Sequence, residues 1–211
     1  MLHFHECIDG NVPKGSVLFF GDSLIQGLLC TRIQENAVNF GIGTDTTAGV
    51  LDRLDTYRSL DHASLVVFGV GLNDLFSKRT DSEIVENIKA FRSRIPIETP
   101  VLINAILPVD QPLVEERNGF SYQGLNKRIE NLNELLRILC ADKDQYWFCD
   151  PSRDLEDGGG NLKKSLHTGD GVHLNSAGNE IWIRALEKVT GSVLRDGQRA
   201  SANSSERVSA E

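Results

Sequence analysis

Residues 65–70 read LVVFGV, the strongest apolar run in the sequence, with no charge in it. A short continuous run of this kind is typical of a β-strand that is covered on both faces. Other runs of similar character precede and follow it along the chain. Together they predict five strands: Ser16–Phe20 (SVLFF), Ala37–Phe40, Leu65–Val70, Val101–Ile106 and Gln145–Cys149 (QYWFC).

The segments between these runs carry the three- and four-residue apolar spacing of amphipathic helices. Three clear helices are predicted: Asp81–Arg94, Leu125–Cys140 and Asn175–Lys188. The first would be capped by Asp81 or Ser82, and the third by Asn175 or Ser176. Two weaker helices are predicted after Ser23 and over about Thr46–Asp55. Strands that alternate with helices predict a parallel sheet with right-handed crossovers. We therefore expect an α/β fold, a three-layer α/β/α sandwich with a five-stranded parallel sheet. The flavodoxin-like strand order 2-1-3-4-5 is a common solution for this element count.

The composition is that of an ordinary globular protein of 211 residues and 23.3 kDa, with a formal net charge of −8. This charge argues against a nucleic-acid partner and against electrostatic docking on anionic lipid. No apolar run approaches the roughly 20 residues that span a bilayer, and the N-terminus lacks the pattern of a signal peptide. The four scattered cysteines suggest reduced thiols. We expect a cytoplasmic protein, with a homodimer as one expectation for its oligomeric state.

The domain organisation is predicted to be simple. Residues 1–190 form a single catalytic domain, and residues 191–211, which have almost no large apolar side chain, form a flexible tail. A long connection, Leu107–Gln123, interrupts the strand–helix pattern, and such loops are often functional. Its apolar residues could line an acyl pocket or could be ordinary packing: Leu113, Val114, Phe120 and Tyr122.

Four polar stretches follow predicted strands or lie in a late loop: GDSL at 21–24, NFGIGTDT at 39–46, GLND at 71–74 and DGVH at 170–173. Acyl transfer needs a nucleophile, a base, a carboxylate that orients the base, and donors for an oxyanion. Asp170 and His173 are close enough for a carboxylate to lie beside an imidazole. In the order 2-1-3-4-5, Ser23, the Gly43–Thr44 backbone and Asn73 would meet at the carboxyl edge of the sheet.

With these four blocks in order, the chain resembles the SGNH (GDSL-type) hydrolases over about Val17 to Ile183. The resemblance implies serine-based ester cleavage without a metal or cofactor. It implies Ser23 as the nucleophile, His173 as the base, Asp170 as its orienting carboxylate, and Asn73 as an oxyanion donor beside the N–H of Ser23. The stretch NFGIGTDTT at residues 39–47 is also similar to the corresponding stretch of hydrolases of the platelet-activating-factor acetylhydrolase type.

One position departs from the family pattern, because Thr44 stands where a glycine is common. Its backbone N–H could still serve as an oxyanion donor if φ is negative, whereas a β-branched residue at positive φ would be strained. Thr44 is therefore the aligned donor, and Gly43 is the fallback.

Several alternatives stay open. The leading prediction is a serine esterase for short acyl, O-acetyl or lysophospholipid-like esters. The same site would suit a thioesterase or a carbohydrate O-deacetylase, and an inactive binding module or a flavodoxin-like nucleotide binder are further alternatives. His167 competes with His173 as the base, but no carboxylate lies at the matching spacing from it.

Overall fold

The computed structural model describes residues 1–141 and 146–208, with side chains described up to residue 197. Its centre is a sheet of parallel strands with the order β2-β1-β3-β4-β5. The strands are β1 (Val17–Gly21), β2 (Ala37–Gly41), β3 (Leu65–Gly69), β4 (Val101–Asn104) and β5 (Tyr146–Cys149). The predicted fold class and strand order are confirmed. Of the predicted strand residues, Gln145 lies outside the described residues.

Helices cover both faces of this sheet. Their bounds are α1 (Leu2–Asp9), α2 (Ser23–Gln26), α3 (Thr47–Leu54), α4 (Leu72–Phe76), α5 (Asp81–Arg92), α6 (Gln111–Asn118), α7 (Leu125–Ala141), α8 (Ser152–Leu155) and α9 (Ser176–Val208). Thr80, one residue before the predicted caps, caps α5 in a capping box with Glu83. Asn175 caps α9 as predicted, because its Oδ1 accepts the N–H groups of Ala177 and Gly178.

Alternation along β1 divides the core into two halves. Leu18 and Phe20 pack in the half that α3, α5 and α7 cover, whereas Val17 and Phe19 pack in the half that α9 covers. All four side chains are fully buried. A strand buried on both faces has no need of polar alternation, which is why it reads as a continuous apolar run. The expected three-layer sandwich is thus observed.

Helix α6 lies inside Leu107–Gln123, which the sequence presented as a long loop. The side chain of Asp110 accepts a hydrogen bond from the N–H of Leu113, Pro112 lies in the first turn, and Gly119 ends the helix at φ 72°. Proline inside the start and glycine just past the end are typical of a helix. Because α6 carries only a weak apolar stripe, periodicity alone did not reveal it.

The last helix is longer than the sequence predicts. Instead of ending near Lys188, α9 continues to Val208, so the described part of the expected tail, residues 191–208, has a helical backbone. Residues 209–211 of that tail lie outside the described residues. The domain boundary at residue 190 stays a prediction.

No helix in the described part of the chain is both long enough and apolar enough to cross a membrane. All four cysteines are free thiols, with Cys7 exposed and the other three buried. The cytoplasmic location and the homodimer stay predictions.

Candidate active site

Glycines end the three neighbouring strands at the same level of the sheet. Gly21 of β1 lies opposite Gly41 of β2 and Gly69 of β3. A Cβ on Gly21 would lie 2.1 Å from the Gly69 carbonyl oxygen, and one on Gly41 would lie 2.3 Å from the Gln26 nitrogen. Because no side chain occupies this space, α2 can begin directly on the carboxyl edge, with Ser23 as its first residue.

Asp22 fixes the start of that helix. Its backbone is extended, and its Oδ1 accepts the N–H of Leu24 at 2.9 Å. The residue is only 3% exposed. Burial disfavours the charged carboxylate and raises the pKa of Asp22 to about 7, although the Leu24 hydrogen bond and the nearby His173 act in the opposite direction.

The side chains of three predicted site residues form a continuous chain of hydrogen-bond contacts, which we call the relay: Ser23, His173 and Asp170. The Oγ of Ser23 lies 2.8 Å from Nε2 of His173, although the two residues are 150 positions apart in the sequence. On the other side of the ring, Nδ1 of His173 lies 2.6 Å from Oδ2 of Asp170. A carboxylate at Nδ1 stabilises the tautomer that leaves the Nε2 lone pair facing the serine. This arrangement can remove a proton from the hydroxyl.

The turn at residues 170–173 prepares the Asp170 carboxylate for this contact. Oδ1 accepts the backbone N–H groups of Val172 and His173, both at 2.9 Å. Partial burial alone would raise the pKa of Asp170, but these two hydrogen bonds and the contact with the His173 ring outweigh it and lower the pKa to about 2. Asp170 is therefore ionised at neutral pH.

Asn73 lies at the next strand end, in α4. Gly71 begins this helix at φ 138°, where a Cβ would lie 2.6 Å from Cδ1 of Ile106. The Asn73 amide nitrogen donates to the backbone carbonyl of Asp45 at 2.9 Å. An amide nitrogen has two hydrogens, so one stays available to a bound group.

The structure distinguishes the two candidate backbone donors after β2. The N–H of Gly43 donates to Oε1 of Gln26 at 2.7 Å, whereas the N–H of Thr44 has no partner among the described residues. Thr44 has φ 66°. The condition of a negative φ is therefore not met, and the backbone there is strained because a β-branched side chain rarely adopts this region.

Comparisons with known proteins agree with this geometry. The family model of the GDSL-like Lipase/Acylhydrolase family matches residues 19–181, well over half of the chain. The chain belongs to this family. It is a hydrolase, as the sequence predicts, and its matched region contains the whole relay.

Individual relatives of this GDSL-like hydrolase are distant. It is 30% identical to the platelet-activating factor acetylhydrolase IB subunit alpha1 of Bos taurus, covering 93% of this chain and 84% of the relative. A solved structure from Streptococcus pneumonia, named after platelet activating factor, is 26% identical with a TM-score of 0.79, covering 89% and 90% of the two chains. A GDSL-like lipase from Bacteroides thetaiotaomicron shares the fold at 18% identity, with a TM-score of 0.76 and coverage of 90% and 97%.

A cleft of about 320 Å³ opens above the relay. Ser23, His173, Asp170, Thr44 and Asn73 all line it. The rest of its wall is mostly apolar, with three polar residues, Asp22 before Ser23 and two from α6: Leu24, Leu72, Phe76, Val114, Val172, Asp22, Arg117 and Asn118. The cleft of this GDSL-like hydrolase therefore brings the predicted reactive groups together with space for a small substrate.

The suggested pocket aromatics do not line that cleft directly. The Tyr122 ring packs 5.1 Å from the Phe76 ring, which does line it, and Phe120 packs 4.5 Å from Tyr122 on the outer side. Phe120 is 49% exposed. Of the apolar residues noted in the loop, only Val114 reaches the cleft among those the structure describes. The aromatic pair thus forms an outer layer behind the wall.

A buried network of side chains packs around the turn after β2 and the start of α4, and sequence reasoning did not find it. The Asp45 carboxylate pairs with the Arg53 guanidinium at 2.8 Å, and both side chains are almost fully buried. Nearby, the Asp74 carboxylate accepts the backbone N–H and the hydroxyl of Thr47 at 2.9 and 2.7 Å. Asp45 and Asp74 each follow a predicted site residue directly, which was the available signal. Their burial depends on tertiary packing.

Metal-binding side chains are not grouped in the part of the chain that the structure describes. Within residues 1–141 and 146–208, no three His, Cys, Asp or Glu side chains form a group that could hold a metal ion. The competing histidine, His167, is buried next to Asp110 and does not line the cleft.

Proposed function

We propose that the chain is a serine esterase that hydrolyses carboxylic esters through an acyl-enzyme on Ser23. The observation that carries the proposal is the relay itself, with contacts of 2.8 Å from Ser23 to His173 and 2.6 Å from His173 to Asp170. The alternative base, His167, does not line the cleft that Ser23 lines.

In the first half of the reaction, Oγ of Ser23 adds to the ester carbonyl carbon while its proton passes to Nε2 of His173. The tetrahedral intermediate then collapses. The bond between the carbonyl carbon and the alcohol oxygen breaks, and the proton on Nε2 moves to the leaving oxygen. Asp170 stays ionised because its pKa is about 2, and it stabilises the transient imidazolium.

In the second half, water attacks the acyl-enzyme carbonyl and gives a proton to the same Nε2. Collapse of this second intermediate breaks the bond to Oγ, which takes the proton back as the carboxylic acid leaves. His173 therefore acts as base and then acid in each half, and the enzyme returns to its starting state without a net change.

We propose three donors for the oxyanion: the N–H of Ser23, the N–H of Thr44 and the free amide hydrogen of Asn73. Gly43 is set aside because its N–H is bound to Gln26. Although the φ of Thr44 is positive, its N–H is unpaired among the described residues, and the strain there supports its assignment, since strained backbone is concentrated at functional sites. A preorganised donor of this kind contributes about 3–4 kcal/mol to the transition state.

The cleft supports a short acyl, O-acetyl or lysophospholipid-like ester as substrate. Its apolar wall suits an acyl chain or a lipid-like alcohol. Among the described residues that line it, Arg117 is the one permanent cation, and this favours a substrate that carries an anionic group such as a phosphate. The acetylhydrolase names of the relatives agree with a small acyl group.

A thioesterase or a carbohydrate O-deacetylase would use the same relay and is the second candidate within the enzyme class. The apolar wall gives a sugar few hydrogen-bond partners, which favours the ester substrates named above. An inactive binding module is disfavoured because every member of the relay is present and in contact.

Hydrolysis of p-nitrophenyl acetate, butyrate and octanoate by the wild type and by Ser23→Ala tests the proposal. We expect Ser23→Ala to lose at least about a thousandfold in kcat, and mass spectrometry of the wild type to detect an acyl adduct on Ser23. Ser93→Ala, an exposed serine at the end of α5, is the matched control. A folded Ser23→Ala protein with wild-type turnover would refute the mechanism.

A further inference from the structure

A second histidine–carboxylate pair lies behind the relay. Nε2 of His167 lies 3.4 Å from Oδ2 of Asp110, and each side chain is only 4% exposed. Both atoms are buried, and neither has a hydrogen bond of good geometry. Buried polar groups without such a bond are uncommon and need an explanation.

The other ring nitrogen of His167 binds the backbone on both sides of Asp170. Nδ1 accepts the N–H of Gly169 at 3.0 Å and the N–H of Gly171 at 3.3 Å. A nitrogen that accepts two N–H groups carries no proton, so the proton of this ring is on Nε2 and faces Asp110. The two histidine–carboxylate pairs thus use opposite ring nitrogens: Asp170 contacts Nδ1 of His173, whereas Asp110 faces Nε2 of His167.

Further contacts tie the same loop to α6. The N–H of Asp110 donates to the Gly171 carbonyl at 2.8 Å, and Nη1 of Arg117 donates to the Gly169 carbonyl at 2.8 Å. Gly171 has φ 82°, and a Cβ there would lie 3.0 Å from Val114. The loop is therefore held between the His167 ring and the first turns of α6.

We propose that His167 and Asp110 are positioning residues for the relay: His167 holds the Asp170–His173 turn through Nδ1, and the Asp110 carboxylate facing Nε2 favours the tautomer that makes Nδ1 an acceptor. The inference rests on the proposed function, because its consequence is the correct placement of the His173 ring against Ser23. Neither residue lines the cleft, so the pair should affect the chemical step and leave substrate binding unchanged.

Two amide substitutions separate this role from simple packing. In His167→Asn the side-chain oxygen can occupy the place of Nδ1 and still accept the two N–H groups. In His167→Gln the polar atoms lie one bond farther out, at the place of Nε2, and the acceptor near Gly169 and Gly171 is lost. We expect His167→Gln to lose about 100-fold in kcat, because a misplacement of about 1 Å has such an effect. His167→Asn should stay within about fivefold, and both should keep KM.

A spectroscopic measurement accompanies the kinetics. The strongly hydrogen-bonded Nδ1 proton between His173 and Asp170 should give a far-downfield ¹H resonance in the wild type and His167→Asn, and His167→Gln should lose it. His62→Gln, a histidine that contacts the Val12 carbonyl far from the cleft, is the matched control. Equal kcat in the Asn and Gln variants, or an effect on KM alone, would overturn the proposal.

Asp110→Ser covers the case in which His167→Gln does not fold. Serine can still cap α6, but it removes the oxygen that faces His167. We expect about a tenfold loss in kcat at constant KM, comparable with losing an outer partner of a metal-bound histidine. Wild-type kcat in this variant would overturn the role of Asp110.

Ser23→Ala separates the two hypotheses. If this variant is active, the proposed function fails. If it is inactive while His167→Gln is fully active, only the positioning role of His167 and Asp110 is refuted.

Discussion

The guanidinium of Arg53 lies 2.8 Å from the carboxylate of Asp45, and their side chains are 6% and 11% exposed. The same guanidinium donates to the Tyr57 hydroxyl at 2.7 Å. The backbone carbonyl of Asp45, in turn, accepts the Asn73 amide at 2.9 Å. This ion pair therefore fixes the turn that contains Thr44 and connects it to the Asn73 side chain.

Removing the cation of this pair should be severely destabilising. Arg53→Met leaves the Asp45 carboxylate buried without its partner, and we expect the free energy of unfolding in urea to fall by about 3–5 kcal/mol. Arg94→Met removes the cation of a more exposed ion pair with Asp55 and should change the free energy of unfolding little. Equal stabilities of the two variants would contradict the structural importance of the Arg53 pair.

Thr44→Gly should make the protein more stable and keep it active. Glycine adopts φ 66° without strain, and we expect a gain of about 1 kcal/mol in the free energy of unfolding. Turnover of p-nitrophenyl acetate should be retained because the proposed donor is a backbone N–H. Lys78, at φ 59° and outside the cleft, gives a matched control in Lys78→Gly. If Thr44→Gly loses activity while Lys78→Gly does not, the Thr44 side chain itself takes part.

The contribution of Asp22 to the stability of the protein should fall as pH rises. Its pKa is raised to about 7 by burial, against 3.8 for the ordinary group. Between these values the unfolded chain has released the proton and the folded protein keeps it. The contribution of Asp22 to the free energy of unfolding therefore decreases through this window and levels off above it.

Asp22→Asn keeps an oxygen for the Leu24 N–H and removes the titration. We expect this variant to exceed the wild type in free energy of unfolding by an amount on the order of 4 kcal/mol near pH 8, and by less than half of that near pH 5. Urea unfolding at the two pH values measures the difference. Asp61→Asn, at an exposed position, is the control, and a pH-independent gain in Asp22→Asn would argue against a raised pKa.

Arg117 should select for negative charge on the substrate. We expect Arg117→Gln to lower kcat/KM for an ester that carries a phosphate by about tenfold or more, the typical contribution of a charge-assisted hydrogen bond. Neutral p-nitrophenyl acetate should be affected much less, and Arg117→Lys should retain part of the preference. An equal loss on both substrates would instead assign Arg117 to holding the Gly169 carbonyl.

Local pattern made much of the fold predictable. The five apolar runs and the amphipathic segments specified the sheet, and the four polar blocks located the residues of the relay. The helix α6 was missed although Asp110, Pro112 and Gly119 carried its end signals, because its apolar stripe is weak. The extent of α9 was missed because a polar, small-residue composition also suits a flexible tail.

By itself, the sequence determined the layer architecture, because burial on both faces of a sheet leaves a direct imprint on residue type, and its ordered motifs predicted Ser23, Asn73, Asp170 and His173 as site residues. Only the tertiary structure decided that Thr44 adopts a positive φ, that Gln26 occupies the Gly43 N–H, and that Asp110 faces His167 from 57 positions away. Contacts of this kind join residues from separate elements. They form when the chain packs, and no local periodicity records them.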